Sequence, residues 1–209
     1  MVRVRTFFSR IVLILAFSLA LPALGWAKAP PDEMLKHVTQ DLISALRSQD
    51  QSLQEHPDKI YAIINQILVP HVEWHAMSQW VVGRVAWAKA SDKDKEAFAS
   101  EFKDLLIRTY ASTLQAYNNQ TIEYLPIRGG VAGKKRVQVV SRIRESGREP
   151  IQVTYRLVDQ GDDWKVYDII IEGVSLLKGF QSQFSEEVQQ QGLEPLIKRL
   201  HTHNEKPLR

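Results

Sequence analysis

The stretch from Trp164 to Phe184, WKVYDIIIEGVSLLKGFQSQF, decides the fold because its apolar period changes half-way. Val166, Tyr167, Ile169, Ile170 and Ile171 are β-branched or aromatic, types that fit a pleated and buried surface, and they predict a strand. Alternation places Trp164 and Val166 on one face and Tyr167, Ile169 and Ile171 on the other. Both faces are apolar, so both need cover, unlike a strand with one side in water. After Gly173 the spacing turns helical. Leu176, Leu177, Phe180, Phe184 and Val188 form one stripe, Ser175 suits the N-cap and Gly192 the stop. The strand is expected to run through Gly173 straight into this helix, along one shared apolar seam.

Upstream, the runs Thr121 to Ile127, Arg136 to Arg144 and Ile151 to Val158 also predict strands. Gly129, Gly130 and Gly133, then Gly147 with Pro150, then Gly161 separate the four runs, and such short links favour an antiparallel meander. The third run alternates cleanly, with Ile151, Val153, Tyr155 and Leu157 facing one way. Earlier still the period is helical. Met34, Leu35, Val38, Leu42, Ala45 and Leu46 make one face between Asp32 and Arg47; a second helix opens at Pro57 and stops at Pro70. His71 to Ala88 carries three tryptophans and is interrupted by Gly83. Ser91 with Asp94 reads as a capping box for a helix toward Asn118, about 40 Å long at 1.5 Å per residue. Beyond Gly192, Pro195 opens a last short helix, with a frayed tail expected from His201. The predicted class is α+β: a small antiparallel sheet of about four strands packed with several helices. One domain spans 28–209, mainly helical over 28–119, sheet over 120–173 and helical again over 174–209.

Residues Met1 to Ala27 have a basic start, an apolar run from Ile11 to Leu21, and Gly25 and Ala27 spaced for cleavage, which predicts a secretory leader cut after Ala27. The apolar run is short of the roughly 20 residues that span a bilayer. Removing Arg3, Arg5 and Arg10 with the leader leaves 24 basic against 24 acidic residues. A neutral chain has no global field for nucleic acid, and that class of partner is set aside. With no cysteine there is no disulfide, no thiolate zinc site and no lipidated N-terminal cysteine. The expected product is an exported, soluble monomer.

Several motifs suggest chemistry. His71 and His75 are four apart around Glu73, yet Val72 stands where a zinc protease has its glutamate, and no third ligand is near; two ordinary histidines are expected, not a metal site. Gly129 to Lys135, GGVAGKK, imitates a phosphate loop but lacks its first glycine and its Ser or Thr, so a hairpin turn is expected. Lys134, Lys135, Arg136, Arg142 and Arg144 form a basic edge with Arg136, Arg142 and Arg144 on one strand face, either a guarded edge strand or a docking surface. Asp168 interrupts an apolar strand, where burial would raise its pKa toward acid or base work. No Ser, His or Cys constellation accompanies it or Glu172, and a hydrogen bond to a helix end is the favoured explanation. Five tryptophans and seven phenylalanines exceed what a plain reading needs, leaving a simple core or a cavity for an apolar ligand. No cofactor is implied.

Together Leu68-Val69-Pro70-His71-Val72, Gly83 to Trp87, Phe98 with Phe102, LLIRTY from Leu105 to Tyr110, Tyr155-Arg156-Leu157 and WKVYDIIIEGVSLL followed by Ser182-Gln183-Phe184 resemble the MlaC or toluene-tolerance family. The chain departs from the family at Phe180-Gln181, where Tyr-Arg is common, and carries Glu73 where aspartate is common. The resemblance implies an α+β fold whose sheet half is similar to nuclear-transport-factor-like domains, with acyl chains buried between it and a helical half. It also implies a periplasmic phospholipid carrier that shuttles between an inner-membrane ABC transporter complex and an outer-membrane lipoprotein associated with porins. A related branch serves hopanoids, and a small enzyme using Asp168 or a partner-binding adaptor are the rival classes. On the carrier reading, helical and strand periodicity place the acyl chains against Phe102, Leu106, Tyr110, Val153, Tyr155, Leu177, Phe180 and Phe184, and partners against Arg136, Arg142 and Arg144.

Overall fold

Turn-rich links fold the second half of the chain into an antiparallel meander. Strands β1 (Thr121–Tyr124), β2 (Arg136–Arg144), β3 (Ile151–Asp159) and β4 (Trp164–Ile171) are joined by a two-residue β5 (Val174–Ser175), in the order β1-β2-β3-β4-β5. The structure is a computed structural model and describes residues 28–48, 58–115 and 120–206. The predicted leader and Pro57 lie outside the described residues.

Two features of the deciding stretch differ from its sequence reading. First, β4 does not run straight into the helix. Glu172 (φ 48) and Gly173 (φ 81) form a two-residue turn with both centres left-handed, which reverses the chain so that β5 pairs back on β4. Glu172 tolerates that backbone because its N–H donates to Gln152 O at 3.0 Å and its carboxylate accepts from Gln152 N. Second, Arg156 pairs with Asp168 and Leu157 with Val166, so Tyr167 is an extra residue bulged out of β4. The bulge flips parity. Ile169 returns to the side of Trp164 and Val166 and packs in their cluster, while Tyr167 packs against the helical core. The predicted placement of Ile169 opposite Trp164 is therefore corrected.

The helices follow the apolar stripes. α1 (Pro31–Ser48) and α2 (Asp58–Ile67) pair through Leu42, Leu46, Ile60, Ile63 and Ile64. A 3-10 turn at Val69–His71 leads to α3 (Trp74–Val82) and α4 (Arg84–Lys89), broken at Gly83 because the chain there takes φ 88. α5 (Asp92–Gln115) starts on the predicted box, Asp94 N donating to Ser91 Oγ at 3.1 Å, and its 24 residues span about 36 Å. α6 (Leu176–Gln191) begins at Ser175, whose Oγ accepts from Lys178 N, and stops at Gly192. α7 starts two residues before Pro195, at Leu193, and continues to Asn204 (Leu193–Asn204). The tail predicted to fray is held: Glu101 of α5 binds His201 Nδ1 at 2.8 Å and Asn204 Nδ2 at 2.7 Å.

Candidate functional site

Residues directly opposite across antiparallel strands share a face, so the pairing register lays out the sheet surface row by row. On one face Val137, Leu157 and Val166 make one row and Val139, Tyr155 and Ile169 the next. Then come Tyr124, Ser141, Val153, Ile171 and Val174, a row that crosses all five strands, and last Ile122, Ile143 and Ile151. At about 4.8 Å per strand the five-strand row is about 19 Å long, more than one leaflet's share of a hydrocarbon core about 30 Å thick.

α1 covers only part of this face. Met34 and Leu35 pack with Val137, Val139, Leu157, Trp164 and Val166. A polar clasp fixes α1 to β1: Tyr124 OH lies 2.7 Å from Thr39 Oγ1 and donates to Leu35 O at 3.3 Å. At its start, the Lys28 ammonium pairs with Asp159 and sits 4.3 Å above the Trp164 ring. Away from α1 the face opens, with Ile151 46 % exposed, Ile171 43 % and Val174 70 %, while Val153 is 5 % and Ser141 0 % exposed. Burial pushes the Tyr155 hydroxyl above its ordinary value, and Ser141 and Tyr124 are close enough to oppose the rise, although Ser141 Oγ completes no hydrogen bond of normal geometry.

The eight residues predicted to line one cavity fall into separate places. Phe102, Leu106, Leu177 and Phe184 are buried in one helical cluster with Phe180 packed on it, the Phe102 ring 5.3 Å from Phe180 and 5.6 Å from Phe98. Val153 and Tyr155 lie on the α1 face of the sheet, and Tyr110 is exposed near the end of α5. Periodicity identifies which side of an element is buried; it does not tell whether helices or a ligand do the burying. Two surface clefts, of about 410 and 330 Å³, contain none of the eight; the larger is lined by Glu73, His75, Lys95, Glu96 and Arg136, among others.

Asp168 is fully buried and surrounded by donors. It accepts from Ser175 Oγ at 2.9 and 3.0 Å, Arg156 Nη1 at 3.2 Å and Leu177 N at 3.4 Å, tying β3, β4, β5 and the start of α6 together. This is the helix-end bond favoured from sequence. The basic cluster is partly spent. Lys134 Nζ donates to Gly129 O and Gly130 O at 2.8 Å, Arg144 pairs with Glu123 at 3.0 Å, and the Arg136 guanidinium lies 5.6 Å from the Tyr167 ring centre. β1 pairs with the second half of β2, so Arg142 and Arg144 do not lie on an edge, whereas Arg136 lies in the half that β1 leaves unpaired. His71 lies before α3 and His75 within it; His75 faces Glu96 at 3.2 Å, and among the described residues no three His, Cys, Asp or Glu side chains are placed to hold a metal. Among the described residues no helix is long and apolar enough to cross a membrane.

The sequence reading overlooked Ser141 and Tyr124. The signal was present: Val137, Val139, Ser141 and Ile143 share one face, and serine is its single polar member.

Comparison with known proteins places this geometry in context. A family model described as MlaC protein matches residues 36–202. The chain is 27 % identical over 179 residues to the toluene tolerance protein ttg2D of Pseudomonas putida, covering 86 % of this chain and 82 % of that protein. It is 23 % identical over 185 residues to the intermembrane phospholipid transport system binding protein MlaC of Haemophilus influenzae, covering 87 % and 86 %. Its fold matches the phospholipid-binding protein from Ralstonia solanacearum, solved in complex with a phospholipid, with TM-score 0.76 and 29 % identity over 84 % of this chain and 97 % of that one. With the family model spanning both the helical half and the sheet, the chain belongs to the MlaC protein family.

Proposed function

We propose that this chain is a periplasmic phospholipid carrier and not an enzyme, shuttling lipid between an inner-membrane ABC transporter complex and an outer-membrane lipoprotein complex and so maintaining outer-membrane lipid asymmetry. The observation that carries the reading is the apolar sheet face that α1 leaves half open, on a fold shared with a protein solved with phospholipid. Two acyl chains hold about 30 methylenes, and at about 0.8 kcal/mol each a lipid crossing water unshielded faces a cost of roughly 24 kcal/mol. A protein wall removes that cost without any catalytic group. Val153 and Tyr155 provide sheet contacts. Phe102, Leu106, Leu177, Phe180 and Phe184 serve as the packed helical backing. Asp168 has its acceptor positions occupied by structural donors, which speaks against a base. Of the basic cluster, Arg136, Arg142 and Arg144 share the opposite face and are the proposed docking surface for protein partners. Export follows cleavage after Ala27; the intact mass of protein recovered from the periplasm checks it, and a mass retaining Met1 to Ala27 contradicts it.

The test of carriage is transfer. Purified protein added between donor and acceptor phospholipid vesicles held apart by a membrane that vesicles cannot pass should raise lipid exchange in proportion to its concentration. Exchange no faster than with an unrelated protein of the same charge would contradict it.

A further inference from the structure

The first half of β2 is an open sheet edge. β1 pairs with β2 from Arg144 back to Ser141, and Leu125 N donates to Val140 O at 2.8 Å, after which no further pairing occurs on that side. Strand alternation then fixes where the remaining main-chain groups point. Val140 O turns toward β1, whereas Lys135 O turns toward β3 and accepts from Asp159 N at 2.9 Å. Even-numbered residues of β2 therefore present N–H and C=O to the β1 side. Arg136 and Gln138 continue that series, both are exposed, and among the described residues no hydrogen bond reaches their main-chain groups. The edge is open at two consecutive positions of the ladder.

Its charge is one-sided. From Leu125 to Arg144 the chain has six basic residues, Arg128, Lys134, Lys135, Arg136, Arg142 and Arg144, and no acidic one. Two such edges laid together would set like charges opposite each other, which disfavours a second copy as the occupant. β1 shows what does fit. Its Glu123 stands opposite Arg142 and pairs with Arg144 at 3.0 Å. A strand continuing the line of β1 would set residues opposite Gln138 and Arg136 on that same face, where a carboxylate would meet Arg136 as Glu123 meets Arg144. The acids that share a cleft with Arg136 are engaged elsewhere: Glu73 with Gln160, Glu96 with His75 at 3.2 Å and Asp92 with Lys95 at 3.0 Å.

We propose that the Arg136–Gln138 edge receives an extended acidic segment of a protein partner as an added strand in line with β1. Main-chain hydrogen bonds hold the segment and alternate carboxylates select it, the division of labour of strand addition. This gives the docking surface proposed above a binding mode and rests on that reading.

The probe is a capped hexapeptide alternating glutamate with threonine, and the control is the same peptide with lysine for glutamate. Hydrogen exchange of the purified protein is followed residue by residue by NMR. At nine-tenths saturation the glutamate peptide should slow exchange of the Gln138 amide about tenfold and leave Val139, which faces β3, unchanged. Gln138→Pro removes an N–H that the fold does not use, at an edge position that tolerates proline. It should bind the peptide roughly tenfold more weakly, and Gln138→Ala should bind it like the parent. No protection by the glutamate peptide at millimolar concentration, equal protection by the lysine peptide, or parental binding by a folded Gln138→Pro protein overturns the inference. So does an edge-to-edge dimer of the protein alone that Gln138→Pro dissociates. If Gln138→Pro does not fold, the protection of the parent amide decides. Lipid delivery to membrane vesicles from the cells that make this protein, compared with liposomes of their extracted lipid, separates the two readings. Slow delivery by the triple Arg136, Arg142 and Arg144 to Ser variant with parental delivery by Gln138→Pro leaves the docking surface standing and rejects strand addition. Parental delivery by the triple variant rejects the docking surface itself.

Discussion

Replacing Asp168 by alanine should destabilise the protein severely without touching the lipid chemistry. The carboxylate is buried, and its loss strands the hydrogen of Ser175 Oγ, the N–H of Leu177 and the Arg156 guanidinium, whose side chain is 34 % exposed. Removing one member of a fully buried ion pair costs about 3–5 kcal/mol. The partial exposure of Arg156 lets water take up some of the stranded charge, which brings the expected loss to about 3 kcal/mol. For a chain of this size that is a fall in Tm of roughly 6–12 °C. Urea unfolding of the parent, Asp168→Ala, Arg156→Ala and the double variant measures both the loss and the coupling. The double variant should be less destabilised than the two singles added, because the second substitution removes a partner already stranded. At a temperature where Asp168→Asn remains folded, vesicle-to-vesicle lipid transfer should proceed at the parental rate. A loss under 1 kcal/mol, or normal stability with abolished transfer, would refute the structural role and restore Asp168 as a candidate base.

Two tryptophan substitutions separate the sheet face from the helical cluster. Val153→Trp should reduce co-purified lipid with the fold retained, whereas Leu106→Trp overpacks a closed cluster and should destabilise by about 1–3 kcal/mol; unchanged lipid in a folded Val153→Trp protein would reject the sheet contact. A triple Arg136, Arg142 and Arg144 to Ser variant should retain lipid but deliver it to protein partners more slowly at low salt, the difference shrinking near 0.15 M where screening reaches about 8 Å. Parental speed and salt dependence would reduce these arginines to a solvated strand face. The hydrogen bond that the His201 imidazolium donates to Glu101, helped by the Glu205 charge, raises the His201 pKa above its ordinary 6.5. The folded form therefore binds its proton more tightly than the unfolded one, so this contribution is complete below pH 6.5 and disappears as pH rises through the raised folded value. The Tm gap between the parent and His201→Gln should narrow over that rise, and a gap that widens with pH would contradict the assignment.

The elements were legible wherever one residue period persisted. The stripe of Phe98, Phe102, Leu105 and Leu106, the alternation of Val153, Tyr155 and Leu157, and the caps at Ser91, Ser175 and Gly192 each specify a local structure that the protein adopts. What escaped was non-local. Tyr167 is as good a strand residue as its neighbours, so nothing in its identity marks the bulge that returns Ile169 to the Trp164 side. β5 has two residues, too few to show a period, and is held by the Glu172–Gly173 turn and its bonds to Gln152. The tail at His201 reads as polar and loose until Glu101, a hundred residues earlier, is brought against it. The site divides in the same way. That Val153 and Tyr155 share one sheet face is legible from alternation, whereas the separation of Phe102 and Phe184 from them depends on how whole elements pack.

Carriage requires that this protein hold a phospholipid while it is in water. The most direct measurement is to purify it without detergent from the periplasm of cells expressing the full chain, extract with organic solvent, and quantify the lipid per protein by mass spectrometry. Carriage predicts close to one phospholipid per chain, enriched far above an unrelated periplasmic protein purified in parallel. Protein of full purity and native fold that yields no more lipid than that control would contradict it.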